Sequence, residues 1–152
     1  MNKDDLKWDK RFMEIAKTVA TWSTCIRENR QVGAVITKAN RILSTGYNGA
    51  PAGVANCKER NVCLRDKLSI KSGTMLEMCY SICAEQNAVA QAAKLGHSID
   101  GATIYVTHRP CPICTRILIN AGIKRIVYEK DYPNDFSLSL IKEAGIKLDQ
   151  LK

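Results

Sequence analysis

The chain has 152 residues, 45% of them hydrophobic and 25% charged, enough for one domain with a sizeable core and too apolar for a disordered one. No stretch approaches the roughly 20 apolar residues of a membrane span, and residues 1–10 are charged where a secretory leader is apolar, so a cytoplasmic protein is expected. The net charge of +8 suits a polyanionic partner or a nucleotide phosphate as well as a merely solvated basic surface, and seven cysteines in a reducing compartment point to metal before disulfides.

The first predicted element is a helix over residues 9–27, with Phe12, Ile15, Ala16, Val19 and Trp22 at helical spacing. Residues 31–37 read as a strand, 38–40 as a turn and 41–47 as a second strand, together a hairpin. Gly46 to Pro51 breaks the pattern, and residues 52–82 show weak periodicity and three cysteines. So long a loop is uncommon unless it carries function or is pinned. An Ala-rich helix over 83–95 is stopped by Gly96. A strand over 102–107 follows, then a helix over 112–121 opening on Pro112. Residues 124–128 form a strand, 137–144 a helix closed by Gly145, and 146–148 a short last strand. Two strands followed by alternating helix and strand imply a single α/β domain over residues 1–152, with a mixed sheet of about five strands covered by helices.

The chemistry concentrates in Cys83-Ala84-Glu85 and Pro110-Cys111-Pro112-Ile113-Cys114, each at a predicted helix N-terminus. Cys111 and Cys114 are three apart, so one helical turn aims both sulfurs the same way, and a helix N-terminus favours the thiolates that zinc binds. Three protein ligands leave a fourth position for water, as catalytic zinc requires, and zinc acidifies that water toward neutral pH. Glu85 follows the first ligand by two residues and is suited to carry the proton from water to a leaving nitrogen, not to bind metal. Alone, the second motif also reads as a structural zinc site or redox pair, and the first as a buried cysteine at a helix start. Together they match the general signature of the zinc deaminases.

With these residues in place, the sequence resembles the deoxycytidylate (dCMP) deaminase family of the cytidine deaminase superfamily over nearly its whole length. The matching stretches are QVGAVI at 31–36, STGYNGAP at 44–51, AEQNA at 84–88, YVTHRPCPIC at 105–114 and INAGIKRIVY at 119–128. The resemblance implies a three-layer α/β/α cytidine-deaminase-like fold and zinc-dependent hydrolysis of dCMP to dUMP and ammonia. It further implies a homo-oligomer, often a hexamer, with dCTP and dTTP as candidate effectors. By the same resemblance Arg27 is a candidate phosphate contact, and Asn48 and Tyr132 are candidate nucleotide contacts. The plainer readings are a cation at a helix C-terminus for Arg27 and a turn-forming Asn-Gly for Asn48.

Two positions depart from the family. Cys83 stands where relatives usually carry His, and Pro133 follows Tyr132 where they often carry Arg. Three thiolates make a more electron-rich zinc site than two thiolates and an imidazole. A cation donating to a sulfur would offset this, and Arg109 and Arg116 are the candidates. The remaining cysteines, Cys25, Cys57, Cys63 and Cys79, are candidate ligands of a second, structural zinc that would pin the irregular segment; otherwise they are small buried hydrophobes. His97 is expected to be exposed and His108 to line the pocket or hold its loop. The competing activities are deamination of free cytidine or deoxycytidine, which Cys83 suggests, and of a base in tRNA, which the charge permits but the YNGAP stretch counts against. A non-catalytic zinc binding module has no use for Glu85. No membrane partner is expected.

Overall fold

A computed structural model describes residues 3–152, and side chains from residue 6 onward. Five strands, β1 (Gly33–Lys38), β2 (Arg41–Tyr47), β3 (Thr103–His108), β4 (Arg125–Lys130) and β5 (Lys147–Gln150), form one sheet in the order β2-β1-β3-β4-β5. β1 runs antiparallel to β2 and β3, whereas β3, β4 and β5 are mutually parallel, so the sheet is mixed. The covering helices are α1 (Lys3–Ala20), α4 (Ala84–Leu95), α5 (Pro112–Asn120) and α6 (Asp135–Glu143). Two single turns, α2 (Cys57–Arg60) and α3 (Leu64–Lys67), interrupt the segment expected to be irregular. No helix among the described residues is long and apolar enough to cross a membrane.

Strand alternation assigns the layers. Val35, Tyr105 and Val127 pack on Phe12, Met13, Ala16 and Val19 of α1. Ala34, Ile36, Ile104, Val106 and Ile126 face the other way, onto Ala88 and Ala92 of α4, Leu118 of α5 and Ile141 of α6. The central strands are therefore covered on both faces, which is why they read as unbroken apolar runs. Two glycines set how closely helices approach. A Cβ at Gly33 would lie 2.0 Å from the Ala16 carbonyl oxygen, and one at Gly46 would lie 2.2 Å from that of Ala84. Only a bare backbone lets the first turn of α4 rest on β2.

The hairpin turns through Ala39 and Asn40, with φ of 49° and 57°, the two positive values of a type I′ turn. At the start of β4, Arg125 donates to both carboxylate oxygens of Asp9 at 2.7 Å and to Asp149 at 2.6 Å, while the Tyr105 hydroxyl donates to Asp9 at 2.8 Å. This buried network ties α1 to β3, β4 and β5 at the strand ends remote from the cysteine motifs.

The largest departure from expectation is the end of α1, at Ala20 and not at residue 27. The Thr21 hydroxyl donates back to the Thr18 carbonyl at 2.6 Å, and the Ser23 hydroxyl to the Asn48 carbonyl at 2.9 Å. Hydroxyls competing for backbone partners stop a helix. Trp22, expected on the core face, is consequently 54% exposed. At the other terminus β5 occupies Lys147–Gln150, a slip of one to two residues from 146–148.

Candidate metal centre

Cys83 and Cys111 are the residues immediately before the first turns of α4 and α5, both in extended backbone. Gln86 accepts the Cys83 N–H at 2.9 Å, and a Gly49–Ile82 bridge pins the chain entering α4. Pro112 opens α5, and the Cys111 sulfur accepts from the Cys114 N–H at 3.5 Å. Because α4 and α5 lie on the same face of the sheet, their N-termini meet. The sulfurs of Cys83, Cys111 and Cys114 all lie within 4.8 Å of one another.

Their protons are unequally shared. Cys111 is held far below the ordinary thiol range because the Cys114 and Cys83 thiols donate to it, with the Cys114 and Ile113 N–H groups adding to this. The same bond from Cys114's side holds the Cys114 thiol up. Tetrahedral zinc with bonds of about 2.3 Å wants sulfurs roughly 3.8 Å apart, a spacing this donor set accommodates. Glu85, in the first turn of α4, is 5% exposed. Burial raises its carboxyl to about 7, and the negative charge of Cys111 adds to the rise.

Cys83, Glu85 and Cys111 form one wall of a cavity whose other wall includes Val32, Asn48, His108 and Tyr132. The same four residues border a second cavity, lined further by Arg27, Arg30 and Arg65. A three-cysteine cluster with a buried carboxylate thus adjoins a recess lined by arginines. Burial foremost, then Lys130 and Arg30, lowers His108 and keeps its ring neutral.

Neither candidate guanidinium reaches a ligand sulfur, so the expected offset of the third thiolate by Arg109 or Arg116 does not hold. Arg109 is 3% exposed and spends its donors on Asp131, the Tyr132 carbonyl, the Asn134 carbonyl at 2.9 Å and the Ser137 hydroxyl at 2.8 Å. Arg116 follows Cys114 by two residues, which on a helix turns it away from the sulfurs, and it is exposed. The donor that does reach a sulfur of the cluster is backbone, the Cys114 N–H on Cys111.

Residues 6–130 match the family model for the cytidine and deoxycytidylate deaminase zinc-binding region. The chain belongs to that family. It is 37% identical over 146 residues to the deoxycytidylate deaminase of Schizosaccharomyces pombe, covering 94% of this chain and 44% of the relative. To the deoxycytidylate deaminase of Mycobacterium phage D29 it is 38% identical over 129 residues, covering 82% of this chain and 95% of the relative. The chain therefore spans under half of the yeast protein and nearly all of the phage protein. It also superposes on the crystal structure of dCMP deaminase from the cyanophage S-TIM5 in complex with dCMP and dUMP, with a TM-score of 0.76, 26% identity and 99% of each chain covered.

Of the remaining candidates, Arg27, Asn48, His108 and Tyr132 line the cavities beside the cysteine cluster. Asn48 accepts the Val32 N–H and donates to the Arg30 carbonyl, both at 2.8 Å, so half of its amide holds backbone and half is left for a ligand. Arg27 lines the outer cavity and pairs with Asp66 at 3.2 Å. The Tyr132 hydroxyl is buried without a partner, and burial keeps it protonated. His108 lines both cavities, and His97 is exposed. Cys25, Cys57, Cys63 and Cys79 all line the outer cavity as free thiols. Among the described residues, however, only Cys83, Cys111 and Cys114 bring their ligand atoms within 4.8 Å of one another.

Arg30 and Arg65 escaped the sequence reading. Arg65 is buried on α3 and gathers the carbonyls of Lys71, Thr74 and Met75, folding the irregular segment around its guanidinium. An arginine in an aperiodic stretch ordinarily reads as solvated surface. Gln86 was legible in principle, as the third residue after a helix-capping position.

Proposed function

We propose that this chain hydrolyses dCMP to dUMP and ammonia. The observation that carries the reading is the buried Glu85 beside the three-cysteine cluster, at the foot of a cavity that opens toward Arg27 and Arg30. Cys83, Cys111 and Cys114 would hold zinc through three thiolates. When bound, zinc supplies a Lewis acid with one position open to water and makes that water acidic near neutral pH.

Glu85 takes a proton at a carboxylate oxygen and returns it to the exocyclic nitrogen of cytosine, which leaves as ammonia while the ring gains the oxygen. A carboxyl near 7 performs both transfers with little cost in either direction. Neutral His108 and the free half of Asn48 line the path of the base and sugar. The Tyr132 hydroxyl donates to the nucleotide. Arg27 faces the phosphate together with Arg30, since its half-exposed pair with Asp66 is weak enough to exchange for an anion. This cationic recess favours a nucleotide over a free nucleoside. The names of the S. pombe and phage D29 relatives and the dCMP and dUMP bound by the cyanophage enzyme support the same substrate.

We assign Cys25, Cys57, Cys63 and Cys79 to a second, structural zinc. Support comes from their convergence on one cavity, where a thiolate at Cys79, Cys25 or Cys63 raises the Cys57 thiol after burial has already done so. A homo-oligomer, effector binding by dCTP or dTTP and a cytoplasmic location complete the reading. The test is ammonia release from dCMP, deoxycytidine and tRNA, with metal analysis of the same sample. Turnover of dCMP by a protein carrying two zincs per chain is expected. Equal turnover of deoxycytidine, or a zinc-loaded but inert protein, refutes the substrate; one zinc per chain refutes the second site.

A further inference from the structure

We infer that Arg109 is a positioning residue, a buried staple that fastens the loop carrying Tyr132 to the strand end carrying Cys111. It rests on the dCMP reading only in taking the nucleotide as the ligand of Tyr132.

The loop between β4 and α6 has little of its own to hold it. Beyond Lys130, whose carbonyl accepts the Arg109 N–H at 2.8 Å, its own bonds reach no further than three residues: the Asn134 N–H to the Tyr132 carbonyl at 2.8 Å, the Tyr132 N–H to Asp131 at 2.9 Å, and the Phe136 N–H and Ser137 hydroxyl to Asn134 at 3.0 Å. Pro133 removes a further donor. Arg109 supplies what is missing. Its guanidinium engages residues 131, 132, 134 and 137 together, taking two backbone carbonyls, one carboxylate and one hydroxyl. A buried guanidinium is tolerated only when its donors are met and its charge is balanced. Here Asp131 balances it, with a side chain 65% exposed, so the counter-charge stays hydrated.

The staple places one group in particular. The Tyr132 hydroxyl is buried, has no partner and borders both cavities. A buried hydroxyl left unsatisfied is costly, so its position must be imposed by the surrounding structure and relieved by a ligand. The anchor of that imposition lies two residues before a metal-cluster cysteine. Arg109 thus fixes the distance between the reacting end of the cleft and the group that meets the nucleotide. Lysine offers a point charge and cannot span four acceptors in fixed directions.

Amide exchange and steady-state kinetics on zinc-loaded protein test this. Arg109→Met should speed exchange across residues 131–137 by about tenfold or more and raise KM for dCMP about 10- to 100-fold, with kcat within about threefold and zinc content unchanged. Arg109→Lys should recover only part of the loss. Combined with Tyr132→Phe, Arg109→Met should add little to KM, because both act through one hydroxyl. Should Arg109→Met fail to fold, Asp131→Ala with Ser137→Ala removes two acceptors from the loop side and is expected to shift exchange and KM the same way. Unchanged exchange in the loop overturns the staple. Faster exchange with an unchanged KM, a multiplicative double variant, or a loss confined to kcat or zinc overturns the link to Tyr132. If the wild-type protein does not act on dCMP, the substrate assignment falls and the exchange data still decide the staple.

Discussion

Gly46→Ala is the substitution whose effect the structure states most directly. The added methyl would lie 2.2 Å from the Ala84 carbonyl oxygen and 2.4 Å from the Ala88 nitrogen, where ordinary contact begins at 3.4 Å. Both atoms are α4 backbone, so no side-chain rotation relieves the clash. The first turn of α4 must withdraw by about 1.2 Å, and it carries Glu85 and follows Cys83 directly. Overpacking of this kind costs about 1–3 kcal/mol, and a 1 Å misplacement of a reacting group costs about 100-fold in rate. The expected result is a lower denaturation midpoint, a fall in kcat of about 100-fold on the folded fraction and weaker zinc retention. Gly145→Ala is the control. It has φ of 66° and no atom within 4 Å of the added carbon, so it meets only the left-handed backbone cost of about 1–2 kcal/mol and leaves kcat alone. A Gly46→Ala protein with normal kcat and zinc content would refute the coupling between sheet and catalytic turn.

Glu85 must begin deprotonated to accept the proton from water, and burial places its carboxyl at about 7. Activity should therefore fall as the pH drops through about 7, with kcat measured across pH as the check; a profile flat from pH 5 to 8 would mean that the carboxyl is already ionised like an ordinary one and would refute its placement near 7. Glu85→Gln should keep its metal and lose about two to four orders of magnitude in kcat. Asp9→Ala takes from Arg125 and Tyr105 their shared acceptor while Asp149 still balances Arg125, and should lower stability by about 1–3 kcal/mol in a urea titration, with kcat of the folded protein unaffected. Ala39→Gly relieves a left-handed alanine in the hairpin turn and should raise stability by about 0.5–1 kcal/mol in the same assay.

What could be read ahead of the structure followed how local each feature is. The apolar runs at β1, β3 and β4, the two cysteine motifs and the glycine and proline punctuation are properties of neighbouring residues, and they placed the strands, the starts of α4 and α5 and the three cysteines that converge there. The end of α1 depended on a hydroxyl at Ser23 finding the carbonyl of Asn48, and the partners of Arg109 lie on a loop more than 20 residues further on. Such partners meet only after the sheet has formed. Arg65 was hidden for the same reason, since a buried arginine is distinguished from a solvated one by the carbonyls it collects, and nothing in its neighbours' residue types announces them.

The placement of Cys83 and Cys111 at two helix origins has a consequence for how this family can vary. Each sits in extended backbone one step outside its helix, a conformation open to residues of every type. The scaffold works as a socket: it fixes the starting points of the ligands and leaves their chemistry open. Exchange of a thiol for an imidazole at position 83 alters the charge at the metal without moving α4 or the sheet beneath it. The electronic character of the centre and the architecture that presents it are thus free to evolve on separate schedules.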